Sequence, residues 1–258
     1  MRARVKESRE VARETLFVVF DLEGEEVDFR PGQYFWVELP DRGYEDEKGL
    51  RRHISVVTSP TERGVLGLCT RLRDTAFKHT LAELNVGDEV VDVEQPKGDW
   101  QLPEDTNREY VFVAGGIGIT VFRCMLRYIR DTGEPYRVTL VYSNRDREST
   151  PFLDELVELE RSLPNFHLVL TMTDDDGWEG ETRYVNGDLL RDHLDGDLGR
   201  YTYLVAGPPP MVESVVEQLA SAGVPEDRVL PDRFSGACRR PSSVAAALPG
   251  GTIRGCWP

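Results

Sequence analysis

Two glycine turns carry the residues of this chain whose types and spacing could do chemistry. The apolar run Tyr110–Ala114 leads into Gly115-Gly116-Ile117-Gly118-Ile119-Thr120 and then into a helical pattern. Glycines let the backbone come close to a phosphate, and the free N–H groups at a helix start attract the anion. Such a turn suits a dinucleotide. The third glycine of the fingerprint is absent, because Val121 stands there. Taken alone, the turn therefore also reads as a tight strand-to-helix connection. A second element, Gly207-Pro208-Pro209-Pro210-Met211, follows the run Tyr201–Ala206. It too sits at the carboxyl end of a strand, the edge where open parallel sheets bind ligands.

Metal chemistry finds no such support. The four cysteines are Cys69, Cys124, Cys238 and Cys256, and the four histidines are His53, His79, His167 and His193. None of these makes a zinc-type spacing, a haem pair or the C-x4-C-x2-C run of a plant-type iron–sulfur centre. No metal site and no fused iron–sulfur domain are expected.

The elements that must hold the turns fall into two kinds. Short runs rich in β-branched and aromatic residues fill the first hundred positions: Thr15–Leu22, Tyr34–Leu39, His53–Thr58, Gly67–Arg71 and Glu89–Glu94, with one short helix at Ala76–Leu84. This pattern predicts an antiparallel barrel or sandwich. After the polar stretch Gln101–Arg108 the apolar runs Tyr110–Ala114, Val138–Tyr142, Phe166–Thr171, Tyr201–Ala206 and Arg228–Leu230 alternate with helices. The helices are expected at Val121–Arg130, Phe152–Leu163, Gly187–His193 and Met211–Ala222. That alternation predicts a parallel α/β sheet. The boundaries so drawn are 1–104, 105–236 and a tail of unlike composition at 237–258.

The formal net charge of −15 argues against nucleic-acid binding through phosphate neutralisation and against an anionic membrane surface. No apolar run approaches the ~18 residues of a membrane span, and no secretory signal opens the chain. A soluble cytoplasmic protein is the expectation. Only four of the 31 basic residues are lysine, which suggests a halophilic source or, alternatively, a GC-rich genome.

Further short motifs occur in a fixed order. They are Pro31-Gly32-Gln33-Tyr34, Arg52-His53-Ile54-Ser55, Thr75-Ala76-Phe77-Lys78, Val86-Gly87-Asp88, Pro96-Lys97-Gly98-Asp99, the two glycine turns and Phe234-Ser235-Gly236. Over roughly residues 10–236 the ordered set resembles the ferredoxin–NADP⁺ reductase-like family. The resemblance implies a six-stranded antiparallel flavin-binding barrel followed by a Rossmann-like, five-stranded parallel NAD(P) domain. It implies FAD as cofactor, with Arg52 on a flavin phosphate, Thr75, Phe77 and Lys78 in the pyrophosphate segment, and the backbone of Cys69, Thr70 and Arg71 on the flavin ring. Ser55 would stand near the hydride-accepting N5 and is the one residue expected to be catalytic. Ile54 replaces the usual aromatic beside the flavin, so stacking would fall to Tyr34 or His53.

The same resemblance places NADH or NADPH across Gly115, Gly116, Gly118, Thr120, Gly207, Pro208, Pro209 and Met211. Asn144 and Arg145 would lie at its adenosine end. Asp174, with Asp175 and Asp176, would repel a 2′-phosphate, which leans the reading to NADH. Electrons would pass to a small carrier such as ferredoxin, or to a flavin or quinone. A non-catalytic nucleotide-binding module is the reading from another class. The tail carries no acidic residue and reads either as a frameshifted or artificial end, or as an extension whose Trp257 caps the flavin.

Overall fold

Alternation at the amino end makes the first strand. In Ala3–Ala12 (β1), Ala3 and Val5 are buried while Arg4 and Lys6 face solvent. Two small apolar residues among charges give a weak signal, and this strand was not expected from the sequence. The computed structural model describes residues 1–234. After β1 come β2 (Thr15–Asp21), β3 (Tyr34–Glu38), β4 (Arg51–Ser55), β5 (Val65–Arg71), helix α1 (Ala76–Glu83), β6 (Glu89–Val90) and β7 (Asp92–Val93).

The single six-stranded barrel that was expected is instead two antiparallel sheets, one of order β5-β2-β1-β6 and one of order β4-β3-β7. The run 89–94 explains part of the difference. Val90 and Val93 are both buried, three residues apart, which one flat strand with a two-residue period cannot achieve. The chain therefore turns at Val91, which is 57% exposed, and changes partner from β1 to β3. Phe20, Phe35, Val37, Leu66, Leu68 and Phe77 fill the space between the sheets.

The second half builds β8 (Glu109–Gly115), α2 (Ile119–Thr132), β9 (Arg137–Asn144), α3 (Leu153–Ser162), β10 (Phe166–Met172), α4 (Gly187–His193), β11 (Thr202–Gly207), α5 (Pro209–Ser221) and β12 (Val229–Arg233). Every neighbouring pair is parallel, in the order β10-β9-β8-β11-β12. The five-stranded parallel sheet expected from the sequence is present. Its order reverses between β8 and β11, so the two glycine turns end neighbouring strands at the switch point.

Helix α2 joins the halves. Nine of its fourteen residues are buried, more than one helical face, because it packs on the sheet and on the first half together. Phe122 stacks on Phe112 at 4.7 Å and meets Trp100 edge-on at 6.0 Å. Val121, at the missing third glycine, is wholly buried and belongs to this core. Trp100 Nε1 donates to the Leu230 carbonyl at 3.2 Å, a further tie across the halves. Among the described residues no helix is long and apolar enough to cross a membrane.

Candidate functional site

The two glycine turns touch. A Cβ on Gly118 would stand 2.2 Å from the Ala206 carbonyl oxygen and 2.9 Å from Gly207 Cα; one on Gly115 would stand 2.5 Å from Met211 Sδ. Only glycine permits strands β8 and β11 to end so close together. Gly116 has φ +50, a left-handed conformation, and begins the short 3₁₀ turn that leads into α2. No side chain caps α2 or α5, whose cap positions are Gly118 and Pro208. α5 opens with Pro209 and Pro210, which carry no N–H, and its Met211 amide donates to the Pro208 carbonyl at 3.0 Å, while the Ile119 amide of α2 donates to the Gly116 and Ile117 carbonyls; what the two turns offer a ligand is close approach to glycine backbone. Thr120 is buried, and its hydroxyl donates to the Ile117 carbonyl at 3.1 Å, fastening the turn. Pro209 and Met211 are half-buried and Pro208 is exposed.

The carboxyl edge of β9 adds Asn144, which is buried although neither amide atom has a hydrogen-bond partner among the described residues. An orphaned buried amide at the ligand edge suits a nucleotide that would satisfy it. Arg145 is exposed beyond it. The acidic run after β10 is split by the fold. Asp174 is exposed, whereas Asp175 accepts from Arg147 Nε at 3.0 Å and from the Arg147 amide at 3.1 Å. The Arg147 guanidinium, with the amides of Arg147 and Gly177, holds the Asp175 carboxyl below its ordinary range.

On the other side of the crevice stands the end of β5. Arg71 Nη2 donates to the Ser149 carbonyl at 3.1 Å, and the same atom lies 4.0 Å from where a Cβ on Gly116 would be. Its Nε is buried with no partner among the described residues. The sequence reading gave Arg71 only a backbone role; its side chain reaches the glycine turn of the other half. Cys69 is buried, which pushes its thiol up to about 12, so it stays protonated and serves packing. Thr70 is half-buried beside it.

Strand alternation divides Arg52–Ser55 between two faces. Tyr34 pairs with Ser55 and Trp36 with His53, while Phe35 pairs with Ile54 and Val37 with Arg52. Ile54 therefore packs against the first core. His53 sits between Tyr34 and Trp36, with ring centroids 5.4 and 5.0 Å away. Tyr34 lies against Gly98, where a Cβ would stand 2.9 Å from Tyr34 Cε1. This aromatic group and Ser55 thus adjoin the 97–101 segment that leads into the second half.

Arg52, on the opposite face, lies over the Phe77 ring at 5.6 Å. Phe77 is buried beneath it and belongs to the core. Thr75 caps α1, its hydroxyl accepting from the Lys78 amide at 3.4 Å. Lys78 Nζ donates to the Arg71 carbonyl at 2.6 Å. Burial, then the nearby cations Arg73, Arg52 and Lys48, push Lys78 down to about 8. Four cations so arranged, with an Arg52 Nη2 that is buried without a hydrogen bond, fit a phosphate-bearing flavin.

A family model described as the oxidoreductase NAD-binding domain matches residues 112–217. The propane 2-monooxygenase reductase component of Rhodococcus jostii is 29% identical over 214 residues, covering 81% of this chain and 56% of that protein. Methane monooxygenase component C of Methylosinus trichosporium is 34% identical over 174 residues, 67% of this chain and 49% of that protein. The crystal structure of the Amycolatopsis cytochrome P450 reductase GcoB matches with a TM-score of 0.75 at 25% identity, covering 91% of this chain and 70% of that one. The chain spans about half the length of these two curated relatives. The family match gives residues 112–217 as an oxidoreductase NAD-binding domain, and the structural likeness gives the chain the two-domain fold of such reductases.

Proposed function

We propose that this chain is an FAD-dependent NAD(P)H oxidoreductase that passes electrons to a separate acceptor, a ferredoxin-type carrier or an oxygenase component. The observation that carries this reading is the contact between the Gly118 and Gly207 turns at the switch point, with Arg71 of the other half beside Gly116. A dinucleotide seated there would lie between the two halves.

FAD, when bound, supplies hydride acceptance and release of electrons one or two at a time. The chain supplies placement. Arg52, Lys78 and the amino end of α1 would hold the flavin phosphates. The backbone of Cys69–Arg71 would hold the ring edge, Tyr34 or His53 would pack on it, and the Ser55 hydroxyl is assigned to the hydride-accepting side. Gly115–Thr120 and Gly207–Met211 would hold the coenzyme, with Asn144, Arg145 and Asp174 toward its adenosine. The exposed Asp174 and Asp176 favour NADH over NADPH.

The propane 2-monooxygenase relative, being named a reductase component, favours a protein acceptor. The deciding experiment is anaerobic reduction of the purified flavoprotein by NADH and by NADPH, followed by a screen of ferredoxins, oxygenase components, flavins and quinones. Reduction followed by protein-acceptor turnover is expected. Turnover with free flavin alone would assign the chain as a flavin reductase, and no reduction by either coenzyme would sink the proposal.

A further inference from the structure

The loop 41–50 between β3 and β4 folds onto the amino end of α1. Tyr44 stacks on His79 of that helix, centroids 5.0 Å apart and planes 22° apart, and its hydroxyl donates to Glu83. Gly43 and Gly49, with φ +84 and +62, bracket the segment between them. This arrangement delivers Asp46 to the first turn of α1. Asp46 Oδ2 accepts from the Ala76 amide at 2.8 Å, and Oδ1 accepts from the Lys48 amide at 2.7 Å. Oδ1 also stands 3.5 Å from Arg52 Nη2.

A helix amide, a guanidinium and the surrounding ammonium groups are the donors a phosphate would use. They are the same groups assigned above to the flavin phosphates. A carboxylate and a phosphate cannot both hold them. A single carboxylate answers little of the positive charge gathered here, where Arg73, Arg52 and Lys48 all act on Lys78, which burial first and then these cations depress. A doubly charged pyrophosphate would match that field better.

We propose that Asp46 is a resident competitor for the flavin's phosphate groups, a carboxylate that occupies their donors and is exchanged for them when flavin binds. The inference rests on the flavin site proposed above. It makes Asp46 a determinant of how tightly phosphate-bearing flavins are held, and the 43–49 segment the part of the chain that shifts as they load. The flavin would then be exchangeable on a timescale that this segment sets.

The test is titration of the flavin-free protein with FAD, FMN and riboflavin, followed by flavin fluorescence, for wild type, Asp46→Asn and Asp46→Ala. Loss of one charged competitor should tighten FAD roughly 10- to 100-fold. Riboflavin, which has no phosphate, should stay within about twofold. Should both variants fold poorly, Tyr44→Ala keeps the carboxylate but unfastens the loop, and it should speed FAD association without altering that of riboflavin. Unchanged or weaker FAD binding in folded Asp46 variants, equal tightening of riboflavin, or unaltered FAD association in Tyr44→Ala would overturn the inference while leaving the flavin reading intact. Wild type that binds none of the three flavins would overturn both.

Discussion

The α-carbon of Gly118 and the carbonyl oxygen of Ala206 are so close that a Cβ added to Gly118 would lie 2.2 Å from that oxygen. The obstacle is backbone, which cannot swing aside as a flexible side chain would. Gly118→Ala must therefore part the two turns. Overpacking of this kind costs roughly 1–3 kcal/mol of stability, which a domain of this size should survive. The coenzyme site should suffer more, since it is built from the parted segments. We expect kcat/KM for NAD(P)H to fall about 100-fold, with the flavin-to-protein ratio unchanged, as read by stopped-flow reduction and absorbance. Retained kcat/KM in a folded Gly118→Ala protein would show that the coenzyme does not sit at this contact.

Much of that relationship was legible in the sequence. The runs Tyr110–Ala114 and Tyr201–Ala206 are continuous and apolar because parallel strands are covered on both faces, and the glycines after them mark where backbones meet. One helix end was legible too: the helix expected to stop at Ala222 is followed by Gly223, which takes φ +83 just after α5. What the sequence hid is non-local. Nothing in Ala3–Ala12 announces a strand until its alternation is seen against β2, and nothing in Glu89–Glu94 says that Val90 and Val93 serve different sheets. Asp46 sits in a run of charges that resembles any solvated loop. Only the fold brings it to Ala76, thirty residues along the chain. Arg71 likewise reveals its reach toward Gly116 only when the halves are packed. The expectations for 235–258, including Gly236 and Trp257, lie outside the described residues.

Coenzyme preference should respond to Asp175. This carboxylate accepts from the Arg147 side chain and the Arg147 amide, so Arg147 is fastened at the edge proposed above for the adenosine. Asp175→Asn weakens the grip and removes one negative charge, both of which favour a 2′-phosphate. The ratio of kcat/KM for NADPH to that for NADH should rise about tenfold, corresponding to roughly 1.4 kcal/mol. An unchanged ratio would place the 2′ position elsewhere, with Arg145 the next residue to substitute.

Lys78 predicts a pH dependence. With its ammonium depressed to about 8 by burial and by Arg73, Arg52 and Lys48, the flavin-free protein loses this charge as pH rises past that value. A phosphate beside it would favour the charged form, so binding above pH 8 requires uptake of a proton. FAD affinity should therefore be highest below about pH 8 and fall roughly tenfold by pH 9.5. Riboflavin affinity should not follow it. The folding linkage has the opposite sign: the unfolded chain holds this proton up to the ordinary lysine value, so Lys78 makes stability rise with pH above about 8. Lys78→Gln should flatten both profiles, and a pH-independent FAD affinity in wild type would remove Lys78 from the phosphate site.

Arg123 ties the two halves together. It is 3% exposed, on α2, with Nε on Glu155 at 2.8 Å and Nη1 on the Val57 carbonyl at 2.8 Å. Its guanidinium also lies over the rings of Phe152 at 4.6 Å and Phe17 at 5.2 Å. Val57 and Phe17 belong to the first half, Glu155 and Phe152 to the second. Phe152 is held at φ +61, a costly conformation for a bulky side chain that the surrounding stack maintains. Arg123→Met keeps the volume but leaves the Val57 carbonyl without its donor and Glu155 with only Arg127, so we expect a loss of roughly 3 kcal/mol. Glu155→Gln, at a more exposed end of the pair, should cost under about 1 kcal/mol. Urea unfolding measures both. A further reading separates a joint from a mere core residue. If Arg123 sets the relation of the halves, the Met variant should slow flavin reduction by bound NAD(P)H even at temperatures where it is fully folded, and Glu155→Gln should not. Equal reduction rates would confine Arg123 to stability alone.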